Sequence, residues 1–182
     1  MSTDTTAGPT DESADEPEAE LAYQSLRKAV GAGLTDHYPG RQAMLVGIHT
    51  GGPWVASRLA EDLPVDGFPK PELGFLSSAF HRDDYSRRGL PGEMKASKLP
   101  MSIDGARIVL VDDILFTGRT IRAALNELFD HGRPQSVELA ILIDRGGREL
   151  PVAAQYCGLV HPLPPEREFQ LGMGDDGLFT LR

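Results

Sequence analysis

Apolar residues in this chain fall into short blocks separated by polar turns, and the blocks follow two periods. Runs rich in β-branched residues at 43–48, 72–78, 108–111, 137–143 and 154–160 read as strands, most of them too continuous in their apolar character for a one-sided sheet. Between them the spacing becomes helical. Leu21, Leu26, Ala29, Val30 and Leu34 keep one face over 21–35, although Gly31 and Gly33 weaken its end. A helix from about Pro53 carries Trp54, Val55, Leu59 and Leu63 on one face, with Trp54 expected in the core. Ile121, Ala124, Leu125, Leu128 and Phe129 give 120–131 the clearest helical stripe, which Gly132 and Pro134 close. Strands alternating with helices predict an α/β fold, with a mostly parallel sheet and sites at the carboxyl ends of its strands. Residues 169–182, with Gly172, Gly174 and Gly177, read as a terminal strand or turn.

Composition narrows this picture modestly. The 182 residues, 40% apolar and 25% charged, suit one α/β domain. No run approaches the roughly 18 apolar residues of a membrane helix. The N-terminus lacks the pattern of a signal peptide, so cytoplasm is the expected compartment. The single cysteine, Cys157, excludes an internal disulfide and a cysteine-based zinc cluster, and is read as buried and inert. Of the net charge of −9, −7 lies in residues 1–20, which leaves −2 for the rest. That acidic stretch holds almost no large apolar side chain and is expected to be a disordered tail preceding a domain over 21–182.

The chemistry concentrates at 108–120. Ile108 to Val111 form the strand, Asp112 and Asp113 follow where it is expected to run out, and Thr117-Gly118-Arg119-Thr120 leads into the helix. A helix N-terminus offers unpaired N–H groups and partial positive charge to a phosphate. Gly118 permits a positive φ and close approach of the backbone. The acid pair accepts hydrogen bonds from ribose hydroxyls, directly or through Mg2+. A plain acidic helix cap would explain one acid, but not the whole run.

A second strand–turn–helix unit holds His49-Thr50-Gly51-Gly52 before Pro53. Its small residues suit an anion, while His49 serves either ligand or packing. Residues 79–100 are polar and long for a connection inside a compact domain, as expected of a functional loop. They include Arg82, Arg87, Arg88 and Lys95.

The run Val111-Asp112-Asp113 with Thr117-Gly118-Arg119-Thr120 resembles the phosphoribosyl pyrophosphate (PRPP) signature of type I phosphoribosyltransferases. Together with residues 47–52, 80–84, Ile114-Leu115-Phe116, 132–134 and 144–151, in that order, the chain resembles the PyrR family. Members of that family are pyrimidine-operon regulators that also act as uracil phosphoribosyltransferases. The resemblance implies the type I fold with a flexible hood loop at 79–100, in which Arg82 would act on the diphosphate. It implies that Asp112 and Asp113 orient the ribose and that Phe116, Thr117, Gly118, Arg119 and Thr120 hold the 5′-phosphate. His49, Thr50, Gly51 and Gly52 would form the diphosphate loop. Arg145, Gly146 and Arg148 would lie on the uracil side, either ordering that loop or meeting the ligand. Mg2+ would accompany PRPP, with Asp112 and Asp113 as its candidate protein ligands, and the protein would be a homo-oligomer. The alternative is a UMP- or PRPP-sensing regulator of mRNA leaders with little turnover. Two departures bear on RNA. Family regulators tend to carry a histidine where this chain has Gly147, and their basic first helix is reduced here to Arg27 and Lys28. A 6-oxopurine in place of uracil is a third option.

Overall fold

The computed structural model describes residues 19–36, 43–68, 70–77, 96–100, 102–164 and 166–181. The first 18 residues lie outside them. So do Ser78 and most of the expected hood loop, 79–95, including Arg82, Arg87, Arg88 and Lys95.

The helices are α1 (Ala19–Asp36), α2 (Gly52–Val65) and α3 (Arg119–His131). The strands are β1 (Ala43–Ile48), β2 (Glu72–Leu76), β3 (Arg107–Leu115), β4 (Ser136–Asp144), β5 (Tyr156–Val160), β6 (Leu171–Met173) and β7 (Phe179–Leu181). Five strands form one sheet in the order β2-β1-β3-β4-β5, and every neighbouring pair is parallel. Lys98 adds an antiparallel bridge to Phe75 at the β2 edge. The expected terminal strand is a small antiparallel hairpin, β6–β7.

Side-chain alternation along the central strands fills two cores. Ala43, Leu45, Val109 and Val111 face the layer of α1 and α2, while Met44, Val46, Ile48, Ile108 and Leu110 face α3. The sheet is therefore buried on both faces, which accounts for its nearly unbroken apolar runs. After β1 the chain moves outward to β2, then returns to β3 on the other side of β1. The direction of winding thus reverses between β1 and β3, and a crevice opens outside their carboxyl ends.

Several expectations change in detail. α1 begins at Ala19, which is buried, and Glu20 pairs with Arg58 at 2.7 Å. The domain therefore reaches two residues into the stretch read as tail. Leu21 is exposed and Tyr23 takes its place in the core. Gly31 and Gly33 lie inside α1 because other side chains occupy their Cβ space. A Cβ there would stand 2.5 Å from the Phe68 ring and 2.3 Å from the Tyr156 hydroxyl respectively. Trp54 is 41% exposed, because α2 buries the face of Val55, Ala56, Leu59, Ala60 and Leu63. Phe129 is likewise exposed, at the edge of the α3 stripe.

β3 does not stop at Val111. Its pairing with β1 ends at Gly47 opposite Val111, but its ladder with β4 continues through Asp112, Ile114 and Leu115. The acids thus sit where the strand has lost one neighbour and kept the other.

Candidate active site

Two backbone contacts brace the acid pair. Asp113 N–H donates to Asp112 Oδ1 at 3.0 Å, and Ile114 N–H donates to Asp113 Oδ1 at 3.0 Å. Asp112 is 4% exposed and lines a cleft of about 430 Å³ with Phe116, Thr117, Gly118, Arg119 and Thr120. Gly118, at φ 90°, turns the chain into α3 in the left-handed region. Thr117 Oγ1 accepts from Arg119 N–H at 3.2 Å, and Arg122 N–H closes the first helical bond on the Gly118 carbonyl. The first-turn amides ahead of Arg122 lie outside the helical ladder, the arrangement that binds anions.

The loop after β4 is strapped to this cradle. Glu149 and Leu150 N–H both donate to the Thr117 carbonyl at 3.0 Å, and Arg119 pairs with Glu149 at 2.7 Å. Gly146 and Gly147 hold consecutive φ values of 74° and 72°, and Gly146 N–H donates to Asp144 Oδ1. A Cβ on Gly147 would lie 2.3 Å from the Phe116 ring, so the space of any side chain there is taken.

Arg145 and Arg148 part company. Arg148 turns inward. It donates to the carbonyls of Leu115, Phe116, Gly146 and Val152 and pairs with Asp144, so it orders the loop. Arg145 is 4% exposed, stacks its guanidinium 4.0 Å from the Phe116 ring centre, donates to the Pro164 carbonyl and lines the cleft. Gly146 and Arg148 support the loop from outside the cleft lining.

A third wall was not foreseen. Glu168 and Phe169 line the cleft from the segment after β5. His161 N–H and Leu163 N–H hold that segment to the Asp144 and Arg145 carbonyls, and the His161 and Phe169 rings lie 5.5 Å apart. Only the aromatic residue within a proline- and glutamate-rich stretch hinted at it. Cys157 is half-buried, burial pushes its thiol pKa up, and it lies outside the cleft lining.

His49, Thr50, Gly51 and Gly52 form the neighbouring turn rather than the cleft wall. His49 N–H donates to the Leu76 carbonyl at 2.9 Å, and the His49–Thr50 peptide is cis. The glycines are demanded by β3 itself. A Cβ on Gly52 would meet the Val111 carbonyl at 2.3 Å, and one on Gly51 would meet Asp113 Oδ2 at 2.0 Å. Among the described residues no group of three or more His, Cys, Asp or Glu side chains is placed to hold a metal ion. A pair of adjacent carboxylates suits Mg2+ that arrives on phosphate oxygens better than a metal caged by protein.

A parallel sheet with an acid-tipped strand, an anion-binding helix start and a strapped loop at its winding reversal describes a protein that holds a sugar phosphate. The phosphoribosyl transferase domain family matches residues 19–170. The chain is 42% identical over 160 residues to the bifunctional protein PyrR of Nitrosococcus oceani, covering 88% of this chain and 89% of that one. To the PyrR of Ralstonia nicotianae it is 46% identical over 167 residues, covering 90% and 92%. Among solved structures, a hypoxanthine phosphoribosyltransferase from Staphylococcus aureus superposes with a TM-score of 0.62 at 25% identity, over 82% of this chain and 78% of that one. The chain belongs to the phosphoribosyltransferase family and, within it, to the bifunctional PyrR proteins. The family resemblance and the type I fold read from the sequence are borne out.

Proposed function

We propose that this protein transfers the phosphoribosyl group of PRPP to uracil, giving UMP and diphosphate, and that it acts in the cytoplasm. Membership of the PyrR branch supports uracil as the base. The observation that carries the transfer reaction is the meeting of Asp112, the 117–120 cradle and the strapped 145–150 loop around one cleft. A bond forms between uracil N1 and ribose C1′, the C1′–O bond breaks, and diphosphate leaves with the electron pair. The N1 proton of uracil is lost in the same transfer. Positive charge develops on the ribose as the bond loosens, and the buried Asp112 carboxylate favours it in a site where water is partly excluded. The cradle amides and the Thr117 and Thr120 hydroxyls hold the 5′-phosphate, with Arg119 at its mouth. Arg145 and Phe116 wall the base side, and the backbone of the loop reads the amide-like edge of uracil. Mg2+ bound with PRPP would neutralise charge on the leaving diphosphate, with Asp112 and Asp113 as its candidate protein ligands.

The test is incubation with uracil, PRPP and Mg2+, with diphosphate release as readout and hypoxanthine in parallel. Release with uracil is expected. Release with hypoxanthine alone would replace the base, and no release across a wide pH range, alongside tight UMP binding, would sink the enzyme reading. The PyrR relationship also supports regulation of pyrimidine genes through an mRNA leader. UMP-dependent binding of such an RNA at nanomolar concentration would establish it.

A further inference from the structure

Among the described residues, three carboxylates line the cleft, Asp112, Glu149 and Glu168, against two guanidiniums, Arg119 and Arg145. A cleft for a phosphate does better with surplus positive charge, and this lining is negative by one. Both arginines are also engaged. Arg145 is buried, stacks on Phe116 and donates to the Pro164 carbonyl. Arg119 stands in the first turn of α3 and sets Nε and Nη2 on the same Glu149 oxygen, at 2.8 and 2.7 Å.

An ion pair with half of each side chain in water contributes little as a rule, because two long side chains must be ordered to make it. Here the backbone does part of that ordering, since both partners are tied to one residue. Arg119 N–H donates to Thr117 Oγ1 at 3.2 Å, and Glu149 N–H donates to the Thr117 carbonyl at 3.0 Å. The partial positive charge at the start of α3 favours a carboxylate beside it as well. An incoming 5′-phosphate competes for the same two partners, the helix end and the guanidinium.

We propose that Glu149 is a positioning residue that holds Arg119 back from the 5′-phosphate, and so limits how tightly the nucleotide product is kept. The phosphate is then left to the cradle amides and the threonine hydroxyls, which carry no full charge. PRPP has a diphosphate to bind by besides its 5′-phosphate, whereas UMP has the 5′-phosphate alone. A weakened grip on that group therefore takes a larger share of product binding than of substrate binding, which favours release after transfer. The proposal rests on reading 117–120 as the seat of the 5′-phosphate.

Calorimetry on the full-length protein with UMP and uridine, which differ by the phosphate alone, tests this. Glu149→Gln removes the charge and keeps the backbone bonds to Thr117, and both members of the pair are half exposed, so the variants should fold. It is expected to tighten UMP about 3–5-fold, the size of one exposed ion pair set free, and to change uridine less than about 1.5-fold. The gain should shrink as salt is raised from about 0.02 M to about 0.5 M. In an Arg119→Met background the same substitution should gain less than about 1.5-fold, because no guanidinium is left to release. Parallel losses of UMP and uridine would show that Glu149 only holds the loop, and would overturn the proposal. Unchanged UMP affinity would overturn it too, as would equal gains with and without Arg119, which plain repulsion of the phosphate gives. If the wild-type protein binds UMP no better than uridine, the phosphate reading of 117–120 itself falls, and the proposal with it.

Discussion

Arg148 offers a direct test of how the base side of the cleft is held. Its guanidinium reaches the carbonyls of Leu115 and Val152 at 3.2 Å and of Gly146 at 3.3 Å, reaches that of Phe116 as well, and pairs with Asp144. Arg148→Met removes all of these while keeping an unbranched apolar stem. A hydrogen bond from a charged donor contributes about 1.5–3 kcal/mol, but three of these share one nitrogen and cannot be summed. The side chain is 23% exposed, so the Asp144 pair is partly screened. A net loss of roughly 2–4 kcal/mol follows, below the ceiling of about 5 for opening a fully buried pair. At about 2–4 °C per kcal/mol for a chain of this size, melting should fall by roughly 5–15 °C. Urea unfolding followed by circular dichroism checks this, as a lower midpoint at unchanged slope. Arg148→Lys keeps a charge for Asp144 but not the planar fork, so it should recover less than half of the loss. In turnover, KM for uracil should rise more than KM for PRPP. A variant with its stability within about 0.5 kcal/mol of wild type and a raised uracil KM would refute the reasoning, since Arg148 would then be meeting the ligand.

Three further outcomes are expected. The variant Asp112→Asn/Asp113→Asn should stay folded and lose at least about 10²-fold in turnover, because oriented charge near the ribose is gone; an active variant, assayed by diphosphate release, would contradict that role. Burial, aided by the hydrogen bond to Glu138, pushes the Tyr156 hydroxyl up to about 12. An unfolded tyrosine ionises near 10, so on the order of 2–3 kcal/mol is present below pH 10 and lost as pH rises to 12. Urea midpoints against pH should fall less steeply over that window in Tyr156→Phe, and an unchanged slope would remove Tyr156 as the source. Deleting residues 1–18 should leave melting and turnover unchanged, whereas deleting 1–20 also removes the buried Ala19 and the Glu20–Arg58 pair, for a further loss of about 1–2 kcal/mol. Parallel thermal melts decide this, and a large drop in the shorter deletion would show that the acidic stretch is part of the folded core.

What could be read from the chain was mostly what is local to it. The β3–α3 unit was legible because strand composition, a left-handed glycine and a helical stripe follow one another within a few residues, from Ile108 to Leu128. The same was true of β1 and the start of α2. Contacts between distant segments were not legible. The acids looked like the end of β3, because nothing in residues 108–115 reveals that β4 runs alongside and prolongs the ladder. Gly31 and Gly33 looked like helix weakness, because Phe68 and Tyr156 fill their Cβ space from far along the chain. Glu168 and Phe169 reach the cleft only because two backbone bonds fold 161–163 onto Asp144 and Arg145. Trp54 was grouped with Val55, Leu59 and Leu63 on one helical face, although its helical angle carries it off the buried face of α2.

β3 by itself holds Gly51 and Gly52 to glycine, through the Asp113 side chain and the Val111 carbonyl. A descendant that had abandoned turnover and kept only nucleotide sensing would still favour both, since a larger residue would meet the Asp113 side chain at one place and the Val111 carbonyl at the other. Persistence of this glycine pair among related chains is therefore a record of how the strands pack. It carries no information about which of them still make UMP, and sorting enzymes from sensors by that motif would assign activity where none survives.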